Sequence, residues 1–421
     1  MLTALTVVYT LSMFDQGLIN LLLQPIKEDL GLSDTQLGLL SGMAFGVAYA
    51  MSGVPIARWS DASDRSRITS LAIGMWGATM VLCVFVRNFV QLVIARIATA
   101  VGGAGCMPPT YSLVGDYFPE PNNRARAMSI YMLANPVSVL LSFVVGGWLN
   151  ERYGWRLTLF ISGVPALIIA PFFRMTISDP RTKGKCSQEF KREQPQVTKV
   201  LKSLFYQRSS RHLILGMIVL YTTSFGLLPW YAAFMMRSHG MQTTELGVWL
   251  GGIFGVGGSI GVLLGGYAVG RRDERAQVRM FAATIALLVP CFASFLLVRG
   301  TDQALIALGM AAVTGSMCLG PLFALIQRLV DDQMRATAVA IVMLLANLIG
   351  MSVGPELVGT LSDILAQDMG KESLRYAMLT VSLLACWSAF HFWRAGHTIR
   401  TDLSTLSRPI SGISVEIGAN V

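Results

Sequence analysis

Apolar positions in this chain gather into long runs, separated by short stretches in which Gly, Pro, Asp, Asn and basic residues concentrate. About twelve of these runs are roughly 17 to 25 residues long, enough to cross a hydrocarbon layer of ~30 Å at 1.5 Å per residue. Their approximate bounds are 2–24, 36–57, 68–87, 89–115, 126–149, 156–175, 212–236, 244–270, 278–298, 303–327, 336–361 and 374–394. The expected fold class is therefore an all-α membrane protein with twelve transmembrane helices.

The runs are duplicated. RARAMSIYMLANP begins at Arg124 and RATAVAIVMLLANL at Arg335, an offset of about half the chain, so the pattern predicts two pseudo-symmetric six-helix bundles in tandem. The expected boundaries are 1–175 for the first bundle, 176–211 for a connecting linker, 212–396 for the second bundle and 397–421 for a tail. A duplicated bundle within a membrane is the architecture of a transporter.

Composition agrees: 53% hydrophobic residues against 14% charged, with a mean hydropathy of +0.56, is too apolar for an ordinary soluble domain. Basic residues set the orientation, because short cytoplasmic loops retain an excess of Lys and Arg. Placing both termini in the cytoplasm assigns about 24 of the 33 Lys and Arg to that side. The net charge of +9 is then explained by topology and anionic headgroups, and no nucleic-acid partner is implied.

Residues 174–211 form the one long polar connection, read as a cytoplasmic linker with a short amphipathic helix near 197–206 on the membrane surface; a plain tether is the alternative. After about Gly396 apolar density stops, and the Ser/Thr/Gly-rich tail is expected to be disordered. The first run begins almost at Met1, without a basic preface or a cleavage site, as an uncleaved span would; a start upstream is left open. Five of the six cysteines sit singly in apolar runs and Cys186 in the linker, a pattern of packing residues and not of disulfides or metal ligands.

After the second run the chain reads PIARWSDASDRSRI, which resembles the loop signature of the major facilitator superfamily, Gly-x-Leu-Ala-Asp-Arg-x-Gly-Arg-Arg. Asp61 and Arg65 fall on its acidic and basic positions, while Ala57 and Ala62 depart from its glycine and first arginine. The counterpart GGYAVGRRDERAQVR has Gly270 in the acidic position. Within the superfamily the chain is most similar to spinster-type transporters and their bacterial relatives. The residues that carry this are SMFDQGLINLLLQPIKEDLGLSDTQLGLLSG, ARIATAVGGAGCMPPTYSLVGDYFP, the turn Gly154–Arg156, and NLIGMSVGPELVGTLSD. Organic-anion permeases share several of these phrases.

Two charged residues, Asp15 and Arg96, stand inside runs, and an ionisable group within a bilayer is a functional hypothesis by default. Counting 1.5 Å per residue puts Asp15 ~12 Å and Arg96 ~10 Å below the outer surface, so the two are expected to face one another across the cavity of the first half. They form either a static ion pair or a proton-coupling and substrate site, in which Asp15 titrates while Arg96 tunes it or holds an anion. The resemblance implies coupling through an acid-Arg pair in the first span and a Gly-Glu-Ala phrase in the fourth. Here Gln16 replaces that arginine and Gly103 that glutamate. Both charges are gone together, as expected of partners, since losing one alone strands a buried charge at a cost of roughly 3–5 kcal/mol. Any coupling then rests on Asp15 and Arg96.

The resemblance further implies that Asp61 latches the cytoplasmic side at the amino end of the eleventh span, pairing with Arg335 or with the backbone of Ala336 and Thr337. Asp61, Arg65 and Arg335 are thus the expected gating residues; the alternative is that the loop charges only set topology. Candidate cavity-lining residues are Tyr131, Asn135, Tyr221, Trp230, Tyr231, Gln327 and Asn347, any of which could instead be packing.

One cation and one acid in an apolar chamber suit an amphiphile with a small charged head, matching the lysolipid and sphingoid-lipid substrates of spinster proteins; they also suit a small organic anion. Glycine clusters such as GGIFGVGGSIGVLLGG let helices approach and slide. Pro108, Pro109, Pro136, Pro229, Pro290, Pro321 and Pro355 are expected kink sites. The antiporter-type glycine phrase of the fifth span is degraded, with Ser138 and Ser142 ahead of Gly146 and Gly147. The four histidines, His212, His239, His391 and His397, are scattered without metal spacing, and no nucleophile-base pair or nucleotide loop is present. The expected protein is no enzyme and needs no cofactor. It is a monomeric, multi-pass secondary transporter of a bacterial inner membrane, working by alternating access on a lysolipid-like or other amphiphilic small molecule, with protons as the possible co-substrate. An organic-anion permease and a transport-incompetent ligand receptor are the rival readings.

Overall fold

The structure is a computed structural model that describes residues 1–180, 197–270, 272–331 and 334–406; the side chains of Asp61, Pro121, Ala125, Leu319, Ala336, Thr405 and Leu406 lie outside that description. Among the described residues every regular element is helical. The first half holds α1 (Leu2–Leu30), α2 (Asp34–Ser41), α3 (Met43–Ala62), α4 (Arg65–Leu82), α5 (Phe89–Ala104), α6 (Met107–Tyr117), α7 (Pro121–Met132) and α8 (Ala134–Thr176). Then come α9 (Val197–Tyr206), α10 (Arg208–Leu227), α11 (Trp230–His239), α12 (Thr243–Gly251), α13 (Gly258–Val269), α14 (Glu274–Leu297), α15 (Thr301–Ser316) and α16 (Leu319–Arg328). The last are α17 (Arg335–Leu345), α18 (Ser352–Met369), α19 (Ser373–Ser382) and α20 (Leu384–Leu406). Nine helical runs among the described residues are long and apolar enough to cross a membrane, and α10 with α11, bent by 43°, makes a tenth.

Local chemistry explains where the rods start and break. Gly31, with φ 63, ends α1, and Ser33 opens α2 with a capping box, exchanging hydrogen bonds with Gln36 at 3.1 and 3.0 Å. The expected turn at Gly154–Arg156 is a break inside α8 at Gly154, whose φ of 74 no other residue type adopts cheaply. It is tied down by Trp155 Nε1, which donates to Asp29 at 3.2 Å, and by Arg156, which donates to Val86 O at 3.0 Å and pairs with Asp29.

The prolines divide. Pro108, Pro109, Pro136, Pro229 and Pro321 lie within a few residues of a helix break, whereas Pro290 and Pro355 sit inside the continuous helices α14 and α18. Before Pro355 the helix relaxes into π geometry over Ala346–Met351, which absorbs the missing backbone donor; a matching π segment, Gly252–Gly257, joins α12 to α13.

The amphipathic linker helix forms over the expected residues, Val197–Tyr206, with Val200 and Leu204 fully buried against the rest of the protein. The tail differs from expectation. α20 continues to Leu406, about ten residues past the end of apolar density, because Asp402 accepts the Ser209 N–H at 2.8 Å and Arg400 pairs with Asp273. Linker residues 181–196, Cys186 among them, and residues 407–421 lie outside the described residues.

The halves meet along two seams, α2 and α3 against α18, and α8 against α12. Glycines make both seams close. A Cβ added to Gly38 would stand 2.6 Å from Pro355 O, and one on Gly247 2.2 Å from Phe143 O. The helix backbones therefore touch directly, with no side chain between them.

Candidate functional site

Between the seams lies a cavity of about 370 Å³, walled by Gln16, Asn20, Phe45, Arg96 and Asn135 from the first half and by Phe225, Phe254 and Pro355 from the second. α1 contributes its polar face, and the two π segments end on the chamber, placing Phe254 and Met351 in its wall. Arg96 is its charged member. The guanidinium, 4% exposed, donates from Nη1 to Asp15 Oδ2 at 2.7 Å, and its carbon lies 4.7 Å from the centre of the Phe45 ring. Arg96 Nε is buried and has no hydrogen-bond partner. Such an orphaned donor is costly inside a protein, and here it belongs to the one cation on the chamber wall among the described residues.

The expected pairing of Asp15 with Arg96 is present, with a difference in placement. Asp15, 3% exposed, is absent from the chamber wall, and Arg96 stands between it and the cavity. An incoming anion thus meets the guanidinium first.

Phe225, Leu228 and Phe254 are shared with a second, apolar chamber of about 200 Å³ inside the second half, completed by Tyr221, Tyr231, Leu288 and Phe292. Its aromatic wall is ordered: Tyr231 stacks on Phe254 with ring centres 5.5 Å apart, and meets Phe295 edge-on at 5.6 Å. A largely apolar compartment that carries one cation therefore adjoins an aromatic one with no charged residue in its wall among the described residues.

Of the expected lining residues, Asn135, Tyr221 and Tyr231 are in these walls. Tyr131 is not: fully buried, it stacks on Tyr9 at 4.8 Å and shares a 2.6 Å hydrogen bond with Thr110. Trp230 is fully buried at the seam, donating to Pro355 O at 3.2 Å. Gln327 is exposed and Asn347 lies in the π segment Ala346–Met351 between α17 and α18, and neither lines the two chambers.

Arg65 is fully buried within the first half. It donates from Nε and Nη2 to Asp179 at 2.9 and 2.6 Å, from Nη2 to Asp116 at 2.5 Å, and from Nη1 to Ser112 at 2.7 Å. Arg335 opens α17 and donates to Gln327 O at 3.2 Å. The side chain of Asp61, and with it the expected latch, lies outside the described residues.

A cross-half network that the sequence reading passed over closes the opposite end. Asp34, 2% exposed, accepts from Arg237 Nη1 and Nη2 at 2.7 Å each, from Lys27 at 2.5 Å and from Ser362 at 2.7 Å. Arg237 also donates to Gln24 at 2.6 Å. Asp363 accepts the backbone N–H groups of Asp34 and Thr35 at 3.0 and 2.7 Å. At the other seam Glu151 accepts the Thr244 N–H at 3.0 Å. The Ser33–Gln36 capping box was the local signal that a helix starts at Asp34; its partners 203 to 329 positions away had none. Likewise His212 and His391, expected to be scattered, meet at Nδ1···Nδ1 2.9 Å.

A sequence profile of the Major Facilitator Superfamily matches residues 5–355. The chain belongs to the Major Facilitator Superfamily. Like its relatives it is a transporter and not an enzyme, and an integral, multi-pass membrane protein. It is 30% identical to an "MFS-type efflux pump" of Mycolicibacterium smegmatis, over 95% of this chain and 92% of that protein. It is 22% identical to a "Gallate transporter" of Pseudomonas putida, over 71% of each. Among solved structures it is similar to a bacterial homologue of the human lysosomal transporter Spinster, in an inward-facing and unoccupied conformation. The TM-score there is 0.84 at 26% identity, covering 95% of this chain and 97% of that one. The spinster-type resemblance is thus carried by the fold as well as by the motifs. The efflux pump, the gallate transporter and the Spinster homologue are each named for transport, which weighs against a receptor.

Proposed function

We propose that this chain is a secondary transporter, working by alternating access, whose cargo is an amphiphile with one small anionic head, of the lysolipid-like kind. The observation that carries the reading is Arg96: a buried cation whose Nε has no partner among the described residues, on the wall of a cavity that adjoins an aromatic one. The head docks on Arg96 and the apolar body extends between Phe254, Tyr231 and Phe292. Asp15 is the coupling group. When the anion engages Arg96, the carboxylate loses its counter-charge, and a proton neutralises it at lower cost than leaving it stranded. A second reading, a small organic anion, is favoured by the likeness to a gallate transporter.

The architecture is read as twelve spans in two six-helix halves, since 55-residue and 68-residue runs are each long enough to cross twice and both contain a glycine with positive φ. With both termini cytoplasmic, the Asp34 network closes the outer side and the conformer is inward-open. The setting is a bacterial inner membrane, and the working unit one copy of the chain. Asp61, Arg65 and Arg335 remain the proposed cytoplasmic gate.

The test is flux in proteoliposomes of labelled lysophospholipid and of labelled gallate, with and without a proton gradient, for the unmodified protein and Asp15→Asn. Gradient-driven lysolipid flux lost in the variant is the expected result. Flux that ignores the gradient and survives in the variant would reduce Asp15 to a structural partner; gallate flux alone would replace the lipid reading.

A further inference from the structure

Independently of what the two chambers carry, a third pocket lies at the far end of the molecule from the Asp34 network. It is a bowl of about 940 Å³ between the linker helix α9, the start of α10 and the end of α20, lined by Lys202, Ser203, Tyr206, Gln207, Arg208, Thr398, Thr401 and Asp402. Lys202, Ser203 and Tyr206 share one face of α9, opposite the buried Val200 and Leu204 that hold the helix to the protein.

Two of the lining groups are cations, and neither Lys202 nor Arg208 is in a salt bridge among the described residues. The nearby acid, Asp402, is already engaged as the cap of α10 through the Ser209 N–H. Two further lining atoms, Gln207 Oε1 and Thr398 Oγ1, are buried and have no hydrogen-bond partner among the described residues. Gln207 is held in place by its other end, Nε2 donating to Leu329 O at 2.9 Å. With two cations against the one carboxylate of Asp402, the lining is net positive, and with two polar atoms unpartnered among the described residues it suits an occupant that brings an anion and hydroxyl groups.

Position names the occupant. Arg208 is the first residue of α10 and precedes its first fully buried apolar residue, Leu213, by five residues, or ~8 Å, which is the depth of headgroups above a hydrocarbon layer. Tyr206, 88% exposed, and Phe205, 44% exposed, present rings at the same level, where amphipathic aromatics settle. We propose that this pocket is a binding site for the phosphate of an anionic phospholipid. Lys202 and Arg208 clasp the phosphate, and Gln207 Oε1 and Thr398 Oγ1, buried as they stand, turn outward to take the headgroup hydroxyls.

The probe is phosphatidylglycerol, titrated against phosphatidylcholine of the same acyl chains, with adducts on the purified full chain counted by native mass spectrometry. Removing each charge should weaken phosphatidylglycerol about fivefold, so roughly 25-fold for Lys202→Ala with Arg208→Ala, while Lys202→Arg with Arg208→Lys keeps the binding. Phosphatidylcholine should be indifferent to all variants, and 10 mM-scale inorganic phosphate, roughly the order used to compete for weak anion sites, should not displace the lipid. Equal binding of the two lipids, or full binding in the double alanine variant, overturns the proposal. Displacement by inorganic phosphate overturns it in favour of a free-phosphate site.

Discussion

The carboxylate of Asp363, on α18, accepts the backbone N–H of Thr35 at 2.7 Å and so caps the amino end of α2 from the other half of the protein. Glu151, near the break in α8, does the same at the other seam, accepting the Thr244 N–H at 3.0 Å near the start of α12. Each half thus supplies a carboxylate to a helix terminus of the other, where unsatisfied amides and the positive end of the helix dipole attract it. These caps and the Asp34–Arg237 pair hold one end of the molecule shut without a covalent tie, and they must part for that end to open.

Breaking the pair should bias the cycle. Arg237→Ala leaves the buried Asp34 with Lys27 and Ser362 alone, and Asp363→Ala uncaps α2. Each is expected to populate the conformer open at this end and to lower flux at least about tenfold, as a loss of some kcal/mol from one state requires. Spin-label distances between the ends of α2 and α11 would lengthen. Unchanged distances and unchanged flux would show the network to be passive.

The glycine seams admit a separate test. Gly247→Val would drive a side chain into Phe143 O, where even a Cβ stands at 2.2 Å, and no flexible side chain is there to yield. The halves must separate along α8 and α12, and transport should fall well below that of Gly266→Val, a glycine with open space around it. Equal transport by the two variants would remove close approach as the reason for glycine at 247.

Stability should single out Arg65. Its fully buried guanidinium bonds the buried Asp179 and the partly exposed Asp116, so Arg65→Ala removes a cation from beside a buried carboxylate and is expected to cost roughly 3–5 kcal/mol. Arg65→Lys should recover only part of this, since an ammonium cannot reproduce a forked contact to three acceptors. Thermal unfolding of the detergent-purified protein would rank the unmodified chain above Lys and Lys above Ala.

The aromatic chamber predicts selectivity. Phe254→Ala removes a wall shared by both compartments and should weaken binding of amphiphiles about tenfold, the scale of burying an apolar group of that size. A compact hydrophilic anion that uses Arg96 alone should lose little. Binding isotherms for a lysolipid and for a small dicarboxylate would separate the two; parallel losses would place the aromatic wall outside the binding site.

Much of this was readable along the chain, because it depends on neighbours in sequence. Long apolar runs demand helices whose backbone groups bond internally, and lone charges within such runs, Asp15 and Arg96, demand partners. The linker helix over 197–206 followed from its own amphipathic spacing, and the turn at Gly154 from its glycine. These are local rules.

What tertiary structure decided is where groups distant in the chain meet. Nothing within ten residues of Asp34 discloses Arg237 or Ser362, its partners across the seam. His212 and His391 looked unrelated for the same reason. Tyr131 and Trp230 had the composition of cavity residues, yet packing turned them inward, against Tyr9 and Pro355. Even Asp15, correctly paired, was placed behind Arg96 by the rotation of α1 against α5. Hydrophobicity is a property of each position and survives in the sequence. The direction a helix presents to its neighbours is set by how all the helices pack together, and that is specified only when they do.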